Sequence, residues 1–200
     1  THAERGFKSI DQVMQSDGTL LWQTGLPYAQ YFKKKYAPIK VTTAPYLGGI
    51  GNFQNDAHVS QQCFVTSEPL TAADAGLHVK TFLVADSGYN PYTAVVVTSR
   101  TRWQKNPDEV KRMVAAVRSG WENYLENPAA TNAAMQTLNK AMSAQTFAQS
   151  AQAQQVLIKT KDTPRLGTMT TARWQTLVDQ LLEIKVIPQT LPAADLFIDL

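Results

Sequence analysis

The stretch Tyr46 to Pro69, YLGGIGNFQNDAHVSQQCFVTSEP, decides the fold. It follows a short apolar run, Val41 to Tyr46, and opens on a glycine-rich turn with Gly48, Gly49 and Gly51. A polar segment of helical length comes next. A second apolar run, Cys63 to Thr66, then delivers Ser67-Glu68-Pro69. Strand, glycine-rich loop, helix, strand and polar tip is the order of a βαβ unit. In open α/β sheets ligands bind beyond the carboxyl ends of the strands. Gly48, Gly49, Gly51, Ser67 and Glu68 are therefore expected along one rim, where glycine lets backbone N–H groups approach a ligand closely.

Upstream, Phe7 to Asp17 reads as a short helix. Ser9 with Gln12 three residues on forms a capping box, and Ile10, Val13 and Met14 supply an apolar side. Asp17-Gly18 is a turn, and Thr19 to Gln23 is an apolar strand. Pro27 suits the first turn of a helix running to Tyr36. The free N–H groups at such a helix start suit an anion or a polar ligand group, and Tyr28 and Tyr31 stand near them. Two readings of these tyrosines remain open, ligand contact and packing of the domain surface. Lys33, Lys34 and Lys35 complement the helix dipole and read as a solvated face.

Downstream, Thr71 to Gly76 is expected as a short helix and Val79 to Ala85 as a strand. Asp86 to Tyr92 is a polar break, after which Thr93 to Ser99 resumes as a β-branched strand. From Asn106 the pattern turns helical. Asn106-Pro107-Asp108-Glu109 is a start signal. Val110, Met113, Val114, Val117, Trp121 and Leu125 recur at helical spacing, with Trp121 expected in the core. Asn127-Pro128 stops this helix and starts another. Ser143 with Thr146 begins a third, and Thr170 caps a last one whose apolar face is Trp174, Leu177, Val178 and Leu181.

Composition bounds what such a chain does. Two hundred residues with 44% hydrophobic content bury a real core, as one domain or two small lobes. Net charge is +3, the sequence pI is about 8.9, and no basic run exceeds Lys33-Lys34-Lys35, which gives no case for nucleic acid. The single cysteine, Cys63, excludes an internal disulfide and is expected as a small buried hydrophobe in its apolar strand. No apolar run of about 18 residues marks a membrane-spanning helix. No signal peptide is present, which fits a mature or truncated chain.

The motifs that carry chemistry are few. GGIGNF departs from the dinucleotide fingerprint because the third glycine position falls on Gln54. There is no phosphate-loop lysine motif and no G-x-S-x-G elbow. His2, His58 and His78 share no ligand spacing with Cys63, so no metal is expected. Glu68 has two open roles, holding a ligand amine or hydroxyl, or pairing structurally with a hinge residue. The second is favoured because a carboxylate repels an anionic ligand.

YLGGIG followed by FVTSEPL, with GLPYAQYFKKKY upstream and VADSGYNPYTAVVVTS downstream, resembles the periplasmic substrate-binding proteins of ABC importers. Within them it is similar to the group that holds the nitrate, sulfonate and taurine binders and the THI5/NMT1-like pyrimidine-precursor binders. The likeness runs from about Phe7 to about Ile187 and lies in the order and spacing of elements. It implies an α/β fold of type II periplasmic-binding-protein architecture, two βα lobes joined by a hinge. Members begin with a further stretch of roughly a hundred residues, about one small domain. That stretch builds much of the first lobe, so here the first lobe is expected to be incomplete. Residues 1–92 then form the second, central lobe with about four strands. Residues 93–200 form the hinge strand and the helical remainder of the first lobe.

Tyr28, Gly48, Gly49, Ser67, Tyr89 and Asn90 each follow or end a predicted strand on the same edge and are expected to line one ligand pocket, with Glu68 beside them. The resemblance makes Asp86 to Tyr92 the hinge and cleft wall, with Tyr89 and Asn90 facing the ligand. It implies a non-catalytic, periplasmic solute-binding component without a cofactor. Such a component captures a small aromatic, heterocyclic or anionic molecule between its lobes and delivers it to an ABC permease in the membrane. Two alternatives belong to other classes. One is a THI5-like pyrimidine-precursor synthase, whose cysteine-rich motif is met here by Cys63 alone. The other is the effector-binding domain of a regulator, for which the chain shows no helix-turn-helix pattern. A lone strand at Thr93 to Ser99 leaves backbone groups unpaired. A weakly stable second half and self-association of the chain are therefore expected.

Overall fold

The structure is a computed structural model and describes residues 1–160 and 165–200. Along the chain the regular elements are α1 (Ile10–Met14), β1 (Thr19–Trp22), α2 (Pro27–Lys35), β2 (Thr42–Pro45), α3 (Gly51–Asn55), β3 (Val59–Gln61) and α4 (Glu68–Asp74). Then follow α5 (Arg100–Lys105), α6 (Pro107–Glu126), α7 (Ala129–Leu138), α8 (Ala144–Ile158) and α9 (Thr171–Glu183). The fold is mixed α/β. Two compact units divide it, one of Thr1–Pro91 with Ala172–Ala193, the other of Tyr92–Thr171 with Ala194–Leu200. The helix at Ala172 onward, expected in a second half beginning at residue 93, thus belongs with the first unit.

In the first unit three parallel strands lie in the order β2-β1-β3. Thr19 sits opposite Thr42 on one side and Val59 on the other. Alternation along β1 sends its side chains to both faces. Leu20 and Trp22 pack with Met14, Ala29, Phe32 and Val41 beneath α1 and α2. Leu21 packs with Phe53, Val59 and Ala72 beneath α3 and α4. Trp22 is 1% exposed. Burial of side chains such as Leu20 and Leu21 is worth roughly 1.5–3 kcal/mol each. α1 and α2 form where the sequence signals place them. Ser9 Oγ accepts from Gln12 N at 3.3 Å, while Gln12 Oε1 reaches back to Lys8 N at 2.6 Å. Pro27 takes the first position of α2. Along α9, Arg173 bonds Asn90 and Pro91, Gln180 donates to Gly88 O at 2.8 Å, and Glu183 pairs with Lys34 at 3.0 Å.

Several expectations for this unit are corrected. Cys63 to Thr66 is a turn, and the strand is Val59–Gln61. The reason is the partner: Gln62 N donates to Leu21 O, and beyond that point β1 bends away through Thr24-Gly25 to Pro27. The apolar residues after it have no edge to pair with, and Phe64 is 66% exposed. Cys63 is exposed as well, not the buried hydrophobe expected. Helix α4 begins at Glu68, ahead of the expected Thr71, with proline in its first turn. Val79 to Ala85 is not a strand. Val79 makes one antiparallel bridge to His2 and joins the Leu21 cluster, whereas Val84 joins the Trp22 cluster on the opposite face. A segment that passes from one face of a sheet to the other cannot lie within it.

The second unit is helical among its described residues. α7 and α8 form a hairpin around Asn132, Thr146, Phe147 and Ala151. Tyr124 donates to Asn132 Oδ1 at 2.9 Å, and Asn132 Nδ2 donates to Phe147 O at 3.4 Å, which satisfies the buried amide. Ser143 Oγ caps α8 through Thr146 N at 3.0 Å. The expected strand Thr93 to Ser99 is absent. No strand is found in this unit's described residues to pair with it, Val97 is 82% exposed, and Ser99 instead caps α5 through Arg102 N. Trp121, expected in the core, is 42% exposed and rests edge-on against Tyr124 at 5.8 Å.

Two outcomes follow. Gly18 has φ 89°, and a Cβ there meets His58 O at 2.2 Å. Gly18→Ala should cost roughly 2–5 kcal/mol, adding left-handed strain to a backbone clash, as read by urea unfolding. In hydrogen exchange, amides of Leu20 to Trp22 should be strongly protected while those of Val95 to Val97 exchange freely.

Candidate functional site

Because β1, β2 and β3 are parallel, Trp22, Pro45 and Gln61 end at one edge. The chain leaves that edge in three turns, Gln23 to Leu26, Tyr46 to Ile50 and Gln62 to Ser67. Between the first two lies an open depression of about 330 Å³, lined by Trp22, Gln23, Thr24, Gly25, Leu26, Pro45 and Tyr46.

Two hydrogen-bonded clusters shape this rim. In the first, Gln62 Oε1 accepts from Tyr28 Oη at 2.5 Å and from Gln23 N at 2.6 Å. One amide oxygen so joins the ends of β1 and β3 to the first turn of α2. Burial pushes the Tyr28 phenol up to about 12, against a backbone hydrogen bond from Gln23 that works the other way. In the second, Glu68 Oε1 accepts from Tyr46 Oη at 2.6 Å and Oε2 accepts from Phe64 N at 2.8 Å. The carboxylate fastens the end of β2 to the start of α4. Burial first, then the Glu68 hydrogen bond and charge, push the Tyr46 phenol up to about 12, while a backbone hydrogen bond from Gly49 opposes them.

The glycine turn sits over this second cluster. Gly48 and Gly49 have φ of 98° and 68°, conformations that side chains rarely adopt, and a Cβ on either meets nothing within 4 Å. Gly49 O accepts from Gln61 Nε2 at 3.1 Å. Ser67 is the residue before α4, with its carbonyl accepting from Leu70 N and Thr71 N and its hydroxyl making no cap bond. Cys63 follows Gln62 in the same turn. Partial desolvation and the Glu68 charge push its thiol up although the residue is exposed, which keeps it a neutral, poorly nucleophilic thiol at pH 7.

Tyr28, Gly48, Gly49, Ser67 and Glu68 thus gather at the carboxyl edge. Tyr89 and Asn90 do not join them. Tyr89 is buried against Tyr31, ring centroids 5.2 Å apart, a turn further along α2. The Asn90 amide oxygen accepts from Arg173 at 2.7 Å. Both serve the packing of α2, α9 and the chain after Gly88. None of the residues lining the depression was among the expected site residues, Trp22, Gln23 and Tyr46 included, and Gln62 of the neighbouring cluster also escaped the sequence reading. Gln62 was hidden because Cys63 to Thr66 read as the strand, which put Gln62 at its wrong end. The signal that finds it is the parallel register itself.

Among families, a model described as NMT1/THI5 like matches residues 34–131, from the last turn of α2 into α7 and just under half of the chain. The match supports membership of that family. No curated protein matches the chain.

The tyrosine shifts set a pH window. Each phenol is held neutral in the fold, so its stabilising contribution is complete below pH 10 and is lost as pH rises toward 12. An alkaline titration should show phenolate absorbance from Tyr28 and Tyr46 developing together with loss of structure in that window. Tyr46→Phe should remove part of this late absorbance.

Proposed function

We propose that this chain is the solute-binding component of an ABC import system, working outside the cytoplasmic membrane. It holds a small molecule against the carboxyl rim of the β2-β1-β3 sheet and hands it to a membrane permease without making or breaking a bond. The observation that carries the reading is the rim itself. Three parallel strand ends, a glycine turn with open space above it and two tyrosine clusters form a ligand shelf at the position where open α/β sheets bind. The NMT1/THI5-like match spans the glycine turn, β3 and α4 and is consistent with a binding role.

The same family includes pyrimidine-precursor synthases, so catalysis is the second reading. Two observations favour binding. Cys63 is a neutral thiol, and no group of three or more His, Cys, Asp or Glu side chains gathers among the described residues. An effector-binding domain of a regulator would use the same shelf.

Native mass spectrometry of the purified protein decides between them. A co-purified small molecule, released by denaturation and recovered chemically unchanged after rebinding, is the expected result. Its conversion to a new mass on incubation with iron, abolished by Glu68→Gln with binding intact, would establish the synthase instead.

A further inference from the structure

Charge is distributed very unevenly between the two edges of the sheet. Thr19 to Phe32 contains no ionisable acid or base other than tyrosine, and neither does Val41 to Asn55. From Val59 to Ala73 the single charged side chain is Glu68. These segments supply the three strands, their carboxyl-end turns and the parts of the following helices next to those turns. Lys33, Lys34 and Lys35 end α2 and Asp74 ends α4, away from the rim. The opposite, amino edge is different. There the Arg5 guanidinium bonds Asp17 Oδ1 at 2.7 Å and His58 O at 2.9 Å, and His58 Nδ1 lies 3.8 Å from Asp17.

We infer that the rim selects an uncharged or cationic ligand bearing N–H donors and rejects anions, with Glu68 as the group that enforces the choice. The inference rests on the rim being the ligand site.

The rim's own cationic and dipolar features do not offset Glu68. Lys33 Nζ stands 5.7 Å from the Trp22 ring centroid on the flank of α2, and the Thr1 ammonium, whose charge reaches the Cys63 thiol, is held by Lys80 O at 3.0 Å. At the start of α2 the N–H groups of Ala29 and Gln30 already turn to Leu26 O. An oxyanion set beside Tyr46 would lose water and stand close to a carboxylate. Glu68 accepts one hydrogen bond on each oxygen, and a carboxylate has about four lone-pair sites. It therefore retains acceptor capacity for an ammonium, amidinium or amide N–H. Tyr28 and Tyr46 stay neutral up to about 12, so they add no charge at physiological pH, and Tyr46, which lines the depression, offers an aromatic ring to a planar ligand.

Benzamidine, benzamide and benzenesulfonate test this, being planar, similar in size and different in charge. Each is titrated into the isotopically labelled protein, with rim resonances of Gln23, Tyr46, Gly49 and Gln62 as readout. Benzamidine and benzamide should shift these resonances, and benzenesulfonate should bind at least about tenfold more weakly than benzamide. Benzamidine affinity should fall with added sodium chloride while that of benzamide holds. In Glu68→Gln the salt dependence of benzamidine binding and the weaker binding of benzenesulfonate relative to benzamide should both disappear. The salt response of the unaltered protein gives the same answer should the variant fold poorly. Benzenesulfonate binding the rim as tightly as benzamide overturns the charge inference and leaves the rim as a binding site. No shift at the rim from any of the three, at millimolar concentration, overturns both.

Discussion

Parallel pairing of Thr19–Trp22 on both of its edges, together with burial of its side chains on both faces, is the constraint from which the first unit follows. A central strand fixes its neighbours' register, and register fixes which residues leave the sheet at its carboxyl end. Tyr46 N donates to Trp22 O and Gln62 N to Leu21 O, so the three turns emerge level with one another. The Gln62 and Glu68 clusters then need only single side chains to bridge between them. A one-residue slip of β3 would turn Val59 away from Phe53 and carry Gln62 off the Tyr28 hydroxyl, so packing and site geometry depend on the same register.

Elements whose signals are local were legible in the sequence. The Ser9 cap, the Asp17-Gly18 turn, Pro27 opening α2, Asn106-Pro107 opening α6 and Ser143 opening α8 each act within one helical turn or one bend. Strand partners were not legible. Cys63-Phe64-Val65 and Thr93 to Ser99 have the β-branched and aromatic composition of strands, yet Val-Ser-Gln is what pairs. Composition reports how well a residue fits a pleated surface, and only the neighbouring chain supplies that surface. Trp121 shows the same limit in a helix. Its spacing correctly gave a helical face, but whether anything covers that face lies elsewhere in the molecule.

For the site, strand ends and glycine turns led to Tyr28, Gly48, Gly49, Ser67 and Glu68, because the carboxyl-edge rule needs only strand order along the chain. Tyr89 and Asn90 were placed by resemblance to a hinge. Here a buried tyrosine pair and a guanidinium use them for packing. Glu68 shows how one residue serves two ends. Its bonds to Tyr46 and Phe64 are structural, and those bonds hold an acidic group at the rim in one orientation.

The two ends of the sheet make opposite use of glycine, and that contrast explains why function is proposed at one of them. At the amino edge Gly18 is needed for space: the His58 carbonyl closes over it, and the surrounding Arg5, Asp17 and His58 groups satisfy one another. That edge is finished, with its polar groups paired. At the carboxyl edge Gly48 and Gly49 are needed for backbone direction alone, since open space surrounds the place where each Cβ would stand. The turn is tied to the fold through Gly49, which bonds Gln61 and Tyr46, but its left-handed conformations answer to no packed neighbour and cost conformational entropy. Left-handed backbone facing solvent beside a depression, on a rim with one fixed carboxylate, is the arrangement expected where a ligand supplies the missing neighbour.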